Sequence, residues 1–353
     1  MADRDTDMLF MQRAITLATV GLGHVSPNPM VGCVIVRENR IIGESWHKRY
    51  GEAHAEVNAV NAVDNKELIL HSTVFVNLEP CSHYGKTPPC ADMLIGQKIG
   101  RVVVSNLDSN PLVAGEGVHR MREAGISVTV GVCEKEGKEL NKRFFTCMEL
   151  NRPYIILKWA ETLDGFMARE DHQSKWISNE YSRKLVHKWR SEEDAVLVGS
   201  QTASYDNPSL NVRDWHGRNP VRIVIDRFLK LDCGLNLFDQ SQRTLCYNTV
   251  RTGEQENLVF VKLGETDFLE DLVEDLFDRE IQSVMVEGGP GTLQMFIDSG
   301  LWDEARVFVA DKEFKKGIAA PELKGFLQSE EGIMGDMLRV SYRSGEGVDN
   351  GKR

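Results

Sequence analysis

Three residues with metal-ligand chemistry stand close together near the start of the chain: His54, Cys81 and Cys90. One imidazole and two thiolates suit Zn2+. Three protein ligands leave the fourth tetrahedral position open, which is the arrangement of a catalytic zinc rather than a structural one. Glu56 lies two residues past His54, so it can stand beside a water in that position without ligating the metal. Zinc lowers the pKa of water from about 15.7 to about 7 and thus supplies hydroxide at neutral pH. A carboxylate beside it can move protons to a substrate, a contribution of roughly 10²–10⁴-fold. The set predicts hydrolysis at an electrophilic carbon, with Glu56 as the proton shuttle.

His-x-Glu followed by Pro80-Cys81 and a second Cys is the pattern of zinc-dependent base deaminases. The reaction it predicts is hydrolytic removal of an amino group from a heterocyclic ring. A lone His or Cys is more often a core residue; here four residue types coincide in order. The usual Cys-x-x-Cys spacing is replaced by eight residues, Ser82 to Pro89, between the two thiols. That loop carries His83 and Lys86, and its Gly and Pro residues set turns. A longer polar loop over the metal suits a phosphate-bearing substrate better than a bare base.

The elements that must position these groups are legible. Thr73 to Leu78 reads as a buried strand that delivers Glu79-Pro80-Cys81 to its end. The Ala- and Val-rich run from Ala53 to Val63 reads as a helix with His54 and Glu56 in its first turn. Upstream, Asp5 to Val20 predicts an amphipathic helix ended by Gly21 and Gly23. Cys33–Val36 and Ile41–Gly43 form a hairpin turning at Glu38-Asn39. Asn28 and His47 flank it and are candidates to contact substrate near the metal. Downstream, helices over Ala91–Gln97 and Gly117–Ala124, strands over Arg101–Asn106 and Ile126–Val130, and one long helix over Glu134–Leu150 predict a layered α/β domain. Asn151-Arg152-Pro153 breaks the pattern and marks the domain boundary.

The second half repeats the α/β alternation. Strands are expected at Tyr154–Trp159, Ala195–Val198, Val221–Ile225, Thr244–Tyr247, Ser283–Val286, Arg306–Val309 and Leu338–Tyr342. Helices are expected at Glu180–Arg190, Phe268–Arg279 and Thr292–Ser299. Gly-x-Gly-x-x-Gly does not follow a strand here, so a standard dinucleotide fingerprint is not supported. A Gly-rich turn, Glu287-Gly-Gly-Pro-Gly-Thr292, does join a strand to a helix, and such a helix start favours phosphate. Lys158 in an apolar strand, Thr162-Leu-Asp-Gly165, Ser174 to Ser178, Arg190 and Asp206 to Arg213 concentrate further polar chemistry. Spacing alone leaves open whether these are site residues or solvated faces.

Composition sets the bounds. A chain of 353 residues with 41% hydrophobic content is expected to form two domains. The net charge of −11 argues against a bulk nucleic-acid binder. Neither half is basic: residues 1–150 hold 16 basic and 18 acidic residues, and the remainder 26 and 35. Seven cysteines spread thinly read as thiols in a reducing compartment, with Cys33, Cys133, Cys147, Cys233 and Cys246 as plain thiols. No signal-peptide pattern and no apolar run of spanning length are present. A soluble cytoplasmic enzyme with no nucleic-acid or membrane partner is expected.

The chain resembles the bifunctional riboflavin-biosynthesis family RibD, a fused pyrimidine deaminase and reductase, from Asp7 to about Arg343. The motifs that carry the resemblance are Pro27-Asn-Pro-x-Val-Gly32, His54-Ala-Glu56, Glu79 through Cys90, Leu163-Asp-Gly165, Asn207-Pro-x-Leu-x-Val-Arg213 and Glu287-Gly-Gly289. Phe166 stands where the family usually carries a basic residue, and residues 169–173 are unusually charged. The resemblance implies a cytidine-deaminase-like three-layer domain over 1–150, a dihydrofolate-reductase-like α/β domain over 151–345 and a disordered tail over 346–353. It implies deamination of 2,5-diamino-6-ribosylamino-4(3H)-pyrimidinone 5′-phosphate, then NADPH-dependent reduction of the ribosyl group of 5-amino-6-(5-phosphoribosylamino)uracil.

By the same resemblance, zinc is held by His54, Cys81 and Cys90, with Glu56 catalytic, and Asn28, His47, His83 and Lys86 hold the deaminase substrate. NADPH is contacted by Ala160, Trp176, Thr202, Asp206 and the run Gly289, Pro290, Gly291, Thr292, Leu293, Gln294 and Met295. The reductase substrate is contacted by Ser174, Arg190, Leu210, Arg213 and Glu287. Two arginines near one pocket suit a 5′-phosphate, which guanidinium grips bidentately. A homo-oligomer is expected. Two other readings compete: a nucleic-acid base deaminase, which needs a basic aromatic groove, and a deaminase whose second domain is non-catalytic. A zinc-stabilised interaction protein is disfavoured by Glu56.

Overall fold

Alternation along Cys33-Val-Ile-Val36 decides the layering of the first half. In the computed structural model, which describes residues 2–83, 88–109, 114–170 and 177–343, Cys33 and Ile35 join one core and Val34 and Val36 another, on opposite faces of a sheet. The chain divides into two compact units, Met1–Asn151 and Arg152–Arg353.

The first unit runs α1 (Ala2–Ala18), β1 (Gly32–Arg37), β2 (Arg40–Trp46), α2 (Ala55–Ala62), β3 (Thr73–Leu78), α3 (Cys90–Gly96), β4 (Arg101–Asn106), α4 (Glu116–Glu123), β5 (Ser127–Val130), α5 (Glu134–Leu140) and α6 (Lys142–Leu150). Its mixed sheet has the order β2-β1-β3-β4-β5. β1 is antiparallel to β2 and β3, whereas β3, β4 and β5 are parallel. Ala59, Leu94 and Met121 bring α2, α3 and α4 onto one face; Met11 and Ala14 bring α1 onto the other. This is a three-layer arrangement. A Cβ on Gly32 would lie 2.0 Å from the Ala14 carbonyl oxygen, so α1 crosses β1 this closely only over glycine. Glu38 and Asn39 both adopt positive φ, 52° and 59°, the turn that suits a two-residue hairpin.

Two expectations in this unit need correction. The helix expected from Asp5 to Val20 starts at Ala2, and past Ala18 it tightens into a 3₁₀ turn, Thr19–Gly21. The single helix expected over Glu134–Leu150 is two, broken at Asn141, whose φ of −100° and ψ of 24° leave the helix. The buried Asn141 amide accepts from Met30 N at 2.8 Å and donates to Met30 O at 2.9 Å. Asn77 donates to the same carbonyl at 2.9 Å and accepts from Gly32 N at 2.7 Å. Bonds between distant segments therefore outweigh local helix continuity here.

The second unit runs β6 (Tyr154–Thr162), β7 (Phe166–Ala168), α7 (Glu180–Glu192), β8 (Ala195–Gly199), α8 (Ser200–Asp206), β9 (Val221–Ile225), β10 (Thr244–Asn248), β11 (Gly253–Gln255), β12 (Leu258–Lys262), α9 (Phe268–Asp278), β13 (Ser283–Val286), α10 (Pro290–Ser299), β14 (Glu304–Ala310), β15 (Ile318–Ala319), β16 (Phe326–Ile333) and β17 (Asp336–Tyr342). Ten strands form one sheet, β11-β12-β10-β9-β8-β13-β6-β14-β17-β16. The seven from β12 to β14 are mutually parallel, so their carboxyl ends lie on one edge. α9 and α10 cover one face through Leu272, Leu276 and Phe296; α7 and α8 cover the other through Val186, Trp189 and Ala203. β12, β16 and the short β7, β11 and β15 were not expected. β16 is almost wholly exposed, so it lacks the apolar alternation that announces a strand.

Candidate active sites

The end of β3 and the start of α2 build the first site. His54 is the N-cap of α2, and its ring makes no capping bond, which leaves it for other partners. Its Nδ1 lies 3.5 Å from Cys81 Sγ and 3.4 Å from Cys90 Sγ, and the three donor atoms lie within 4.8 Å of one another. Zn–S bonds of about 2.3 Å and Zn–N bonds of about 2.1 Å at tetrahedral angles put such donors about 3.6 Å apart, so the residues fit zinc. Cys90 N donates to Cys81 Sγ at 3.3 Å.

The electrostatics also call for a cation. The Cys90 thiol and His54 hold the Cys81 thiol down at about 4, against its burial. The hydrogen bond with Cys81, then burial, push Cys90 far up. Two thiolates this close need a positive ion between them. Glu56, 3% exposed in the first turn of α2, is pushed up to about 7 by burial and then by the Cys81 charge.

The neighbours of this cluster are oriented by hydrogen bonds. His47 Nδ1 donates to Ala53 O at 3.1 Å, so its Nε2 accepts from Asn28 Nδ2 at 3.1 Å. Burial holds His47 below its ordinary pKa, which keeps that neutral tautomer. The His47 ring meets the His54 ring edge-on at 5.5 Å. Asn28 and His47 are thus brought together beside the cluster. His83 is exposed on the loop, and Lys86 lies outside the described residues. Glu79 has a part that the sequence reading missed. Its carboxylate accepts from Asp108 N at 3.2 Å, Gly115 N at 2.8 Å and Val118 N at 3.0 Å, tying Asp108 and the start of α4 to the strand that presents Cys81. The only signal was an acid beside Pro-Cys.

The second site is a cavity of about 470 Å³ at the carboxyl edge of the parallel strands, a size typical of small-molecule sites. It brings together Lys158, Ala160, Arg190, Thr202, Asp206, Arg213, Glu287, Gly289 and Pro290. Gly289 caps α10, and Pro290 is at its first position. Gly288 has φ 114°, and the Gly288–Gly289 peptide is cis. A Cβ on Gly289 would lie 2.9 Å from Thr202 Oγ1, and one on Gly199 would lie 2.2 Å from Thr292 Oγ1. Glycines here let two strand-to-helix turns meet, and the N–H groups of Gly291 and Thr292 precede the first helical bond from Leu293 N to Gly289 O. Such a helix start is suited to an anion.

Several expected residues sit elsewhere. Leu210 and Leu293 are core residues, at 1% and 0% exposure, so neither presents its side chain to a ligand. Met295 packs on the core. Gln294 binds Asp298 at 2.7 Å and accepts from Glu322 N at 3.1 Å. Ser174 and Trp176 lie outside the described residues.

Arg190 lines the cavity, but its guanidinium already has partners. Its fork is engaged with Glu287, Nε to Oε1 at 2.7 Å and Nη2 to Oε2 at 2.8 Å, and Nη1 donates to Asn211 O at 3.1 Å. It therefore braces Glu287 rather than offering a bidentate grip to phosphate. Lys158 Nζ lies 3.6 Å from the same carboxylate. Burial alone would raise Glu287, but Arg190 and Lys158 hold it down at about 2. Burial, then the Arg190 charge, lower Lys158, although Glu287 opposes them. Arg213 is half-exposed and meets Asn211 Oδ1 at 3.1 Å and Asp214 at 3.9 Å, so more of its guanidinium is left open to an anion than that of Arg190. His187, also lining the cavity, was not anticipated.

Comparison with known proteins agrees with this pairing of sites. Residues 4–106 match the cytidine and deoxycytidylate deaminase zinc-binding region, and residues 153–314 match the RibD C-terminal domain. The chain is 41% identical over 336 residues to the riboflavin biosynthesis protein RibD of Aquifex aeolicus, covering 94% of each. It is 38% identical over 326 residues to that of Escherichia coli K12, covering 87% of this chain and 88% of the relative. A crystal structure of the diaminohydroxyphosphoribosylaminopyrimidine deaminase/5-amino-6-(5-phosphoribosylamino)uracil reductase of Thermotoga maritima superposes with a TM-score of 0.89 at 36% identity, covering 97% of this chain and 100% of that one. Fold and sites thus define an enzyme in which a cytidine-deaminase-type zinc domain is joined to a dihydrofolate-reductase-like domain. The chain belongs to the RibD family of riboflavin biosynthesis proteins, with a deaminase and a reductase that implies NADPH.

Proposed function

We propose that residues 1–150 deaminate 2,5-diamino-6-ribosylamino-4(3H)-pyrimidinone 5′-phosphate, and that residues 151–345 reduce the ribosyl group of the product to ribityl with NADPH. The observation that carries the first step is the cluster of His54, Cys81 and Cys90 with Glu56 buried beside it. Those three residues would hold zinc, which would acidify a water at neutral pH. Glu56 accepts the water's proton and passes it to the ring nitrogen, then serves the departing amine; a C–O bond forms, the C–N bond breaks and ammonia leaves. Asn28 orients the base, since its Nδ2 is committed to His47 and its Oδ1 remains for a ring N–H. His83 and Lys86 are assigned to the substrate's polar end.

In the second unit bound NADPH would supply the hydride for reduction at the anomeric carbon. Opening of the sugar needs one proton on the ring oxygen, and Lys158 is the acid facing the cavity. Ala160, Thr202, Asp206, Gly289 and the α10 start line the cofactor's path, with Trp176 assigned to it as well. Arg213 takes the 5′-phosphate, with Ser174 and Leu210 assigned beside it, and Glu287 anchors the floor. We further infer a cytoplasmic homo-oligomer. All seven cysteines are free, and the exposed edge strand β16 with Phe326 and Leu327 offers a surface for a second copy.

The test feeds the pyrimidine phosphate to the full-length protein with and without NADPH. Ammonia release should need no NADPH, and NADPH oxidation should follow deamination. Glu56→Gln should abolish ammonia release while zinc stays bound; persistent turnover in that variant sinks the assignment.

A further inference from the structure

His187 is placed where two different elements depend on it. It lies on α7, three residues before Arg190, and is buried. Its Nδ1 is 3.1 Å from Asn211 O, the carbonyl that also receives Arg190 Nη1 at 3.1 Å. Its Nε2 is 3.3 Å from Asp214 Oδ2. The two contacts bracket Arg213, which lines the cavity with His187. The segment 211–214 thus meets one His187 ring nitrogen at each end, and the arginine between them lines the cavity.

Both ring nitrogens face acceptors. A neutral imidazole has one N–H, so both bonds are made only by the imidazolium. The surroundings oppose that charge. Burial, then Arg190, then Arg213 hold His187 below its ordinary pKa, while Asp214 and the Asn211 carbonyl pull the other way. Glu287, beyond Arg190, also acts on it, with Lys158 at 3.6 Å from that carboxylate; Arg183 and Asp206 line the same cavity. A dianion arriving at Arg213 offsets the cationic field and favours the protonated ring. By linkage, binding then draws a proton from solvent onto His187.

We propose that His187 is the positioning residue of the reductase cavity: a phosphate-bearing ligand at Arg213 drives its protonation, and the imidazolium locks segment 211–214 against α7. The proposal rests on the reading of Arg213 as the phosphate contact. It predicts that substrate affinity falls as pH rises through the His187 range, by up to tenfold per pH unit.

The experiment uses full-length protein and 5-amino-6-(5-phosphoribosylamino)uracil without NADPH. Calorimetry in two buffers of different ionisation enthalpy counts the protons taken up, and Kd is followed against pH. His187→Asn keeps an N–H for the Asn211 carbonyl but cannot titrate. It should take up fewer protons than wild type and flatten the pH dependence of Kd, with the phosphate's own titration common to both. His187→Leu loses both bonds and cannot titrate, so it should weaken binding roughly tenfold below the His187 range, with the gap to wild type narrowing as pH rises. Equal proton uptake and equal pH profiles in wild type and His187→Asn overturn the proposal. If Arg213→Gln binds as well as wild type, the phosphate reading fails and the proposal with it. Weakened Arg213→Gln alongside unchanged His187→Asn overturns the proposal alone.

Discussion

Glu287→Gln isolates the charge at the floor of the second cavity. The carboxylate lies between the fork of Arg190, at 2.7 and 2.8 Å, and Lys158 Nζ, at 3.6 Å. All three side chains are at most 15% exposed. An amide keeps the shape but removes the negative charge, which leaves two buried cations without their counter-ion. Breaking a buried pair in this way costs about 3–5 kcal/mol. The carboxyl's own titration offers a second route to the magnitude. It moves from an ordinary 4.5 to about 2, and at about 1.4 kcal/mol per unit that is about 3 kcal/mol. Because the folded pKa is depressed, this stabilisation is present above pH 4.5 and is lost as pH falls toward 2. The gap between wild type and variant should therefore be widest at neutral pH and close across that window. Urea denaturation, with hydrogen exchange followed on peptides of β6, α7 and β13, assigns the loss to the second unit. The exposed pair of Arg339 and Glu330, 47% and 41% exposed, is the internal control and should matter by about 0–1 kcal/mol. A Glu287→Gln cost no larger than that control, or a gap that stays constant into acid, would refute the reasoning.

Arg190→Ala should impair reduction and destabilise the second unit, since it removes the brace on both Glu287 and Asn211, while leaving deamination intact; equal loss of both activities would count against separate sites. Chelation of the metal should stop ammonia release yet leave NADPH oxidation with the deaminated intermediate unchanged, and parallel decay of the two rates would contradict the assignment. Asn141→Ala should cost about 1–3 kcal/mol, because it leaves Met30 N, a buried donor, without its partner; a change in unfolding midpoint too small to measure would show that water replaces the amide.

The two sites differed in how far they could be read from the chain, and the reason is geometric. The zinc ligands and Glu56 lie within 37 residues of one another, on a strand end, two helix starts and the loop between them. Ligand chemistry there is nearly its own proof, because few other uses require that order of His, Glu and two Cys. The layers were legible for a similar reason: buried parallel strands such as Ala195–Gly199 are continuous apolar runs. β16 was not, since an exposed edge strand carries no such pattern. Asn141 inside a helical stretch betrayed nothing of Met30, more than a hundred residues away.

Arg190 shows the limit most sharply. An arginine near a phosphate-binding pocket reads as a phosphate ligand until its partner is known, and that partner, Glu287, lies 97 residues later. Guanidinium geometry fits carboxylate and phosphate equally well, so residue type cannot choose between them; only the fold can, by bringing β13's end to α7. With Arg190 committed, the proposed anion contact is Arg213, whose placement depends in turn on the segment that Arg190 and His187 hold. A positive charge in this cavity is therefore defined by what already occupies it. That is why variants that swap charge for isosteric amide are more informative here than truncations to alanine.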